Sequence, residues 1–256
     1  MAETKFKFKK CELLPNEGSS LDENYNIIGG GPIVDYYESI DSPTISMNVT
    51  FIDVDQVISR KGIFGGEYID LIVEVDGYSD FKLTQKKHNL MLNSVRNVIT
   101  ETNKQVATLE FVSVESIINE TARVNKKFAG NVSQTVFELL IGDKKGIQTS
   151  KKLDKHDATN SYSFVGNLKR PFDTVQWLCP KAQSSTKNFG FLFYENFDGY
   201  HFKSIEKLLE QEPSFTYTHT DKPYDQDTGV FKILQNKMVQ TNDIGMNLRM
   251  GMYANR

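Results

Sequence analysis

Between Pro43 and Ile117 the chain alternates apolar and polar residues with a period of two, and that pattern constrains the fold more than any other feature. In "PTISMNVTFIDVD", Ile45, Met47, Val49 and Phe51 fall on one face of a strand, with polar residues between them. "GEYIDLIVEVDG" repeats the pattern with Ile69, Leu71, Val73 and Val75. "NLMLNSVRNVITET" and "VATLEFVSVESI" are joined by "NKQ", which reads as a hairpin. Strands with one apolar and one polar face belong to antiparallel sheet, packed on one side and wet or paired on the other. "DGYSD", Asp76 to Asp80, reads as a turn, because Asp-Gly accepts positive φ.

Ahead of this block, "KFKFKK" alternates Phe6 and Phe8 with lysines, as a short edge strand would. It is followed by "PNEGSSLDENYNIIGGGP", an extended connector. The triple glycine Gly29 to Gly31 lacks the Lys-Ser/Thr ending of a phosphate loop, so a hinge or turn is expected. After Ser116 the period changes. "NVSQTVFELLIGD" places Val132, Val136, Leu139 and Leu140 at helical spacing, with Ser133 as a candidate N-cap and Gly142 as a stop. "RPFDTVQWLCPKAQS" predicts a second helix. Pro171 would sit at its first position, Phe172, Val175, Trp177 and Leu178 supply apolar surface, and Pro180 would kink or end it.

Chemistry-bearing residues are sparse. Cys11 and Cys179 share no motif spacing, so free thiols in a reducing compartment are expected. His88, His156, His201 and His219 are scattered, and none has the spacing of a metal site. No nucleophile elbow, zinc-protease, Walker or dinucleotide motif occurs, so no catalytic, cofactor-binding or metal site is predicted. Net charge is −3, which gives no global field favouring nucleic acid or an anionic membrane. No apolar run approaches the ~20 residues of a membrane span, and "MAETKFKFKK" has no apolar leader segment. The stretch from Asp143 to Arg170 is locally basic, with Lys144, Lys145, Lys151, Lys152, Lys155, Lys169 and Arg170 against Asp143, Asp154 and Asp157. It reads as a solvated loop or as a docking surface for an acidic partner.

One segment gathers three titratable groups within seven residues: Glu195, Asp198 and His201 in "FLFYENFDGYHFKSIEKLL". Catalysis would need two of them converging on a pocket with a third to orient them. The pattern also parses as strand, Asp198-Gly199 hairpin, return strand, then a helix capped by Ser204. The architectural parse is expected, with Phe191, Phe193 and Phe202 buried.

A longer pattern runs through "SPTISMNVTFIDV", "VATLEFVSVESIINE", "SQTVFELL", "RPFDTVQWLCPKAQ", "NFGFLFYENFDGYHFKSIEKLLEQEP" and "FKILQNKMVQTNDIGMNLRMGMYANR". In order and spacing, over about Tyr36 to Arg256, it resembles the baseplate hub subunit of contractile-tailed bacteriophages. The resemblance implies an α+β fold, an antiparallel tail-tube-like β-domain with a mixed α/β domain inserted. The implied organisation is an N-terminal arm (1–31), the first part of the β-domain (32–115), the insert (116–212), and a return to the sheet (213–256). "MNLRMGMYA", with Met246, Leu248, Met250 and Met252 alternating, would be the returning strand.

The resemblance further implies a homo-oligomer, a trimeric ring that continues the tail tube and carries a central spike protein. Tail-tube proteins would be neighbours, and genome DNA would pass through the lumen without specific binding. It implies residence in the virion baseplate after assembly in the host cytoplasm. The alternating acids Asp53, Asp55, Glu74 and Asp76 are candidates for the lumen face. The family continues past the segment similar to "MGMYANR" with a second tube domain, so the ring would be completed by further chain or by another protein. The alternatives are a tail-tip cell-wall hydrolase using Glu195 or Asp198, and a generic adaptor or carbohydrate-binding module marked by an exposed Trp177.

Overall fold

The computed structural model describes residues 6–19, 21–63, 65–75, 80–100, 105–142, 145–188, 190–212, 216–218 and 230–233. The expected turn at 76–80, all but Gln105 of the "NKQ" connection, the strand at 246–252, and His219 lie outside the described residues in whole or nearly so. The architecture is α+β with mostly antiparallel sheets.

The first sheet is built from β1 (Phe6–Leu14), β2 (Tyr25–Asn26), β3 (Ile33–Tyr37), β4 (Ser46–Asp53), β5 (Tyr68–Val75), β6 (Phe81–Leu83), β7 (Leu90–Thr100) and β8 (Gln105–Ser113). Its spatial order is β2-β1-β5-β7-β8-β4-β3, with β6 also on β5. Two short helices, α1 (Val57–Lys61) and α2 (Gln85–His88), sit in its connections. The period-two alternation does what it predicts. Ile45, Met47, Val49, Phe51, Ile69, Leu71, Leu109 and Phe111 are buried in one core. The triple glycine forms a turn: a 3₁₀ turn over Ile28–Gly30, with Gly31 left-handed at φ 62°. Gly30 lies so close to β4 that a Cβ would strike the Ile52 carbonyl.

The Lys-Phe stretch is a strand, but a longer one than its alternation suggests. β1 runs nine residues, because Cys11 and Leu13 carry the alternation onward into the core. Its whole length pairs antiparallel with β5, with one bulge between Phe8 and Lys10.

The second core begins past α3 (Val114–Thr121). It holds β9 (Lys127–Phe128), α4 (Val132–Phe137), β10 (Leu153–Lys155), β11 (Phe164–Val165), α5 (Pro171–Leu178), β12 (Phe191–Asn196), β13 (Gly199–Ser204) and α6 (Ile205–Leu209). A two-stranded parallel pair, β14 (Thr216–Thr218) and β15 (Val230–Lys232), follows. Val132, Val136, Leu139, Leu140, Phe172, Val175 and Leu178 are buried together. Pro171 opens α5, which ends at Leu178 and tightens into a 3₁₀ turn across Pro180.

The cap of α4 differs from expectation. Asn131, not Ser133, is the N-cap, because its side-chain oxygen accepts from the amides of Ser133 and Gln134. Ser133 is buried and instead donates to the His156 carbonyl and accepts from the Ala158 amide. The last helical turns widen into a π-helix over Glu138–Gly142. Ser204 does precede α6, but its side chain makes no capping bond.

Candidate functional site

The hairpin β12–β13 decides what Glu195, Asp198 and His201 can do. Glu195 pairs across the strands with Tyr200, and His201 pairs with Tyr194. Cross-strand partners share a face and neighbours along a strand take opposite faces. Glu195 therefore points inward with Phe193, Tyr200 and Phe202, and His201 points to the other side. The three groups do not converge.

His201 stacks on Tyr194, with ring centroids 4.9 Å apart, and its Nε2 lies 2.7 Å from Asn196 Oδ1. Burial lowers its pKa, while Asp154, 3.8 Å from Nδ1, pulls it back up. Asp154 in turn is held below the usual carboxylate range by the Lys203 ammonium at 2.6 Å. Asp198 sits at the hairpin tip with its side chain 71% exposed, 3.9 Å from Lys87. The turn itself is Phe197–Asp198, stabilised by the Asp198 amide donating to Asn196 Oδ1. Gly199 is already the first residue of the return strand, with φ 131°. A Cβ there would collide with the Lys152 carbonyl, so conformation and space both require glycine.

Glu195 is the centre of a buried ionic cluster at the seam of the two cores. Its Oε1 lies 2.6 Å from Lys151 Nζ. Its Oε2 accepts from Ser113 Oγ at 2.6 Å and from the Ile45 amide at 3.1 Å, both in the first sheet. Lys151 also reaches Glu115 Oε2 at 2.7 Å, and Thr149 donates to the other Glu115 oxygen at 2.6 Å. The three charged side chains are no more than 4% exposed. Two acidic side chains thus share one basic side chain, all three out of water. Burial raises the Glu195 pKa, and Lys151 opposes the rise. The Tyr200 phenol is wholly buried beside these acids and is raised well above its ordinary value, by burial first and by Glu195 next.

Lys151 corrects the reading of 143–170 as a solvated basic loop, since it is the cation of the buried cluster. Glu115, Ser113 and Thr149 carry no signal in the sequence, because their partners lie 34 to 82 residues away.

The hairpin tip makes a second joint. Phe197 packs against the first core, 4.4 Å from the His88 ring and 5.2 Å from Phe81, and its amide donates to Glu38. Lys87 lies over its face at 4.6 Å. His88 is buried, accepts from the Thr84 amide on Nδ1, and is driven down to about 4 by desolvation.

Asp53 also departs from its expected place. It has the parity of Phe51 and is buried, accepting from the Ile58 amide, Gln105 and Tyr25, so it organises a loop and faces no lumen. Asp55 is exposed, Glu74 is half exposed beside Lys9, and Asp76 lies outside the described residues. Trp177 is partly buried against Tyr162 and Phe164, with Lys169 and Lys181 over its ring. Among the described residues no three His, Cys, Asp or Glu side chains are grouped to hold a metal ion. No helix among them is long and apolar enough to cross a membrane.

No protein-family model matches this chain, and no curated protein does. Solved structures do. The chain is similar to a tail protein from Neisseria meningitidis MC58, at 9% identity and a TM-score of 0.49, over 87% of this chain and 57% of that one. It is similar to the 43 kDa tail protein of prophage MuSo2 from Shewanella oneidensis, at 8% identity and a TM-score of 0.47, over 76% and 53%. A third is the E. coli c3393 protein, described as a component of the type VI secretion system with structural similarity to the T4 bacteriophage tail proteins gp27 and gp5, at 10% identity and a TM-score of 0.46, over 84% and 52%. The chain thus spans a little over half the length of each of these three proteins.

Proposed function

We propose that this chain is a structural subunit of a phage-tail hub, a ring-forming homo-oligomer that continues the tail tube and carries the central spike. The observation that supports this reading is the seam. Glu195 and Lys151 of the second core are spent on Ser113, Glu115 and the Ile45 amide of the first, and Phe197 is docked beside His88. A ring subunit has to keep its wall-forming sheet and its insert together, and the buried ionic joint and the Phe197–His88 contact tie the two. In this scheme the first core belongs to the tube-like domain, 32–115, which the strand β1 of the 1–31 arm joins, and the second core belongs to the insert, 116–212.

In this role the chain has no enzymatic activity, resides in the virion tail baseplate after assembly in the host cytoplasm, and contacts spike and tube proteins. DNA slides past a polar face without specific binding, because retained basic contacts would each add salt-dependent affinity. Native mass measurement of the chain with its tail partners tests the reading, with a closed ring of three copies expected. A strictly monomeric mass at high concentration would count against it. Peptidoglycan hydrolysis abolished by Glu195→Gln, with the melting curve unchanged, would overturn the non-enzymatic part.

A further inference from the structure

The buried cluster at the seam has the parts of an acyl-transfer site as well as those of a joint. An amine can attack a carboxyl group when it lies beside it, when donors hold the oxygen that gathers charge, and when a base can take the amine's proton. Lys151 Nζ lies 2.6 Å from Glu195 Oε1. The other Glu195 oxygen, Oε2, accepts from the Ser113 hydroxyl at 2.6 Å and from the Ile45 amide at 3.1 Å. Glu115 Oε2 stands 2.7 Å from the same Nζ. Thr149 steadies the arrangement: its hydroxyl donates to Glu115 Oε1 at 2.6 Å and accepts from the Lys151 amide at 3.1 Å.

We propose that Lys151 and Glu195 condense into a side-chain amide cross-link inside the second core, with Glu115 carrying the proton. The freshly folded chain holds the free side chains, and the cross-link follows. The step starts from the neutral pair, reached when the Lys151 ammonium passes one proton to Glu195. Nζ attacks Glu195 Cδ and a C–N bond forms, while Oε2 takes up charge between Ser113 and Ile45. Glu115 removes the proton that Nζ sheds and hands it to Oε1. The C–O bond then breaks and one water leaves. No oxidant or cofactor takes part. Each chain reacts once with itself, so the step is no enzymatic turnover, and it is independent of the ring reading above.

Three features argue for it. The first is burial. The three side chains are no more than 4% exposed, and a site out of water penalises separated charges and so favours the neutral pair. Burial does raise the Glu195 pKa. The second is asymmetry between the acids. Two donors grip the far oxygen of Glu195, whereas a single hydroxyl, that of Thr149, serves the far oxygen of Glu115 among the described residues. Glu195 is therefore the electrophile and Glu115 the base. The third is the wall. Nζ lies 5.9 Å from the ring centroid of Tyr200, which is wholly buried, so an aromatic surface shields the amide from hydrolysis. The seam survives the reaction, because the new carbonyl at Oε2 still accepts from Ser113 and Ile45.

Intact-mass measurement of the full chain, fresh and after days at neutral pH, tests the proposal. A product lighter by one water is expected. Digestion should then give a branched peptide joining Lys151 to Glu195, with trypsin no longer cutting after Lys151. Lys151→Met should abolish the branched peptide. Glu115→Gln keeps the volume and removes the base, so it should slow the linkage roughly a hundredfold or more in a chain that still melts cooperatively. Asp198-Gly199 can also lose a water by closing to a succinimide, but that loss maps to the turn peptide and persists in Lys151→Met. A wild-type mass that never falls, or a water loss equal in Lys151→Met, would overturn the cross-link and leave the ring reading standing. A folded Glu115→Gln chain that links at the wild-type rate would overturn the role of Glu115.

Discussion

Lys151→Met puts the seam to its most direct test. The substitution keeps the length of the side chain and deletes its charge, so little cavity opens and the loss is electrostatic. At 2.6 and 2.7 Å, each ammonium–carboxylate attraction is ~6 kcal/mol at the effective dielectric of a partly relaxed protein site. Desolvation offsets most of that in the intact cluster, but deleting the cation leaves two buried carboxylates repelling each other. Breaking a buried pair from one side costs about 3–5 kcal/mol. At this chain length that lowers the melting temperature by roughly 6–20 °C. The pH dependence supplies a second readout. Glu195 has a folded pKa raised above its ordinary value, mainly by burial. A raised acid binds its proton more tightly in the folded state. Its contribution is fully present below the ordinary value of 4.5 and is lost as pH rises through the raised one. Without Lys151 the rise must grow, so acidification from pH 7 toward 5 should recover more stability in Lys151→Met than in wild type. Urea unfolding at both pH values measures this. A loss under about 1 kcal/mol at pH 7, or a recovery no larger than that of wild type, would refute the view that the cluster holds the two cores together.

Four further outcomes are expected. Phe193→Ala should cost about 3–5 kcal/mol in the second core, while Asp198→Asn at the exposed tip should cost about 0.5 kcal/mol or less and Gly199→Val should be the worst of the three, as thermal melts will report. Asp53→Ala strips acceptors from Ile58, Gln105 and Tyr25 and should cost roughly 2 kcal/mol or more, with Asp55→Asn silent in the same denaturation assay. Because the folded pKa of His88 lies near 4 against an ordinary 6.5, its contribution is present above 6.5 and is lost as pH falls between those values, and His88→Gln should flatten that part of the stability profile. The Cys11 and Cys179 thiols, both buried and pushed up to about 12, should resist a thiol reagent at pH 8 in the native protein and react fully in urea.

What could be read from the chain was what local geometry dictates. Alternation at Ile45–Phe51 and Ile69–Leu71 places a core because a strand has only two faces. Asp-Gly at 198–199 marks a hairpin because few residues accept the backbone that Gly199 adopts. Adjacent local choices were harder: Asn131 and Ser133 are both good caps, and only the Ser133 contacts with His156 and Ala158 settle between them. Asp53 was misplaced because a charge at an inward position looks like an outward one until its hydrogen-bond partners are known. Lys151 was beyond reach. It lies in a polar run, and its acids stand 36 and 44 residues off, so only the assembled fold shows that the lysine is buried.

The bond from the Ile45 amide to Glu195 spans 150 residues, and it ties the fold to the timing of synthesis. Ser113, the last sheet residue to touch Glu195, is made 82 residues before it. At ~5–20 residues per second the ribosome takes about 4–16 s to cover that interval. During it the first sheet has its strands but not the carboxylate that satisfies the Ile45 amide and the Ser113 hydroxyl. The order of synthesis therefore places every described strand of the first sheet ahead of the one acid that ties that sheet to the second core.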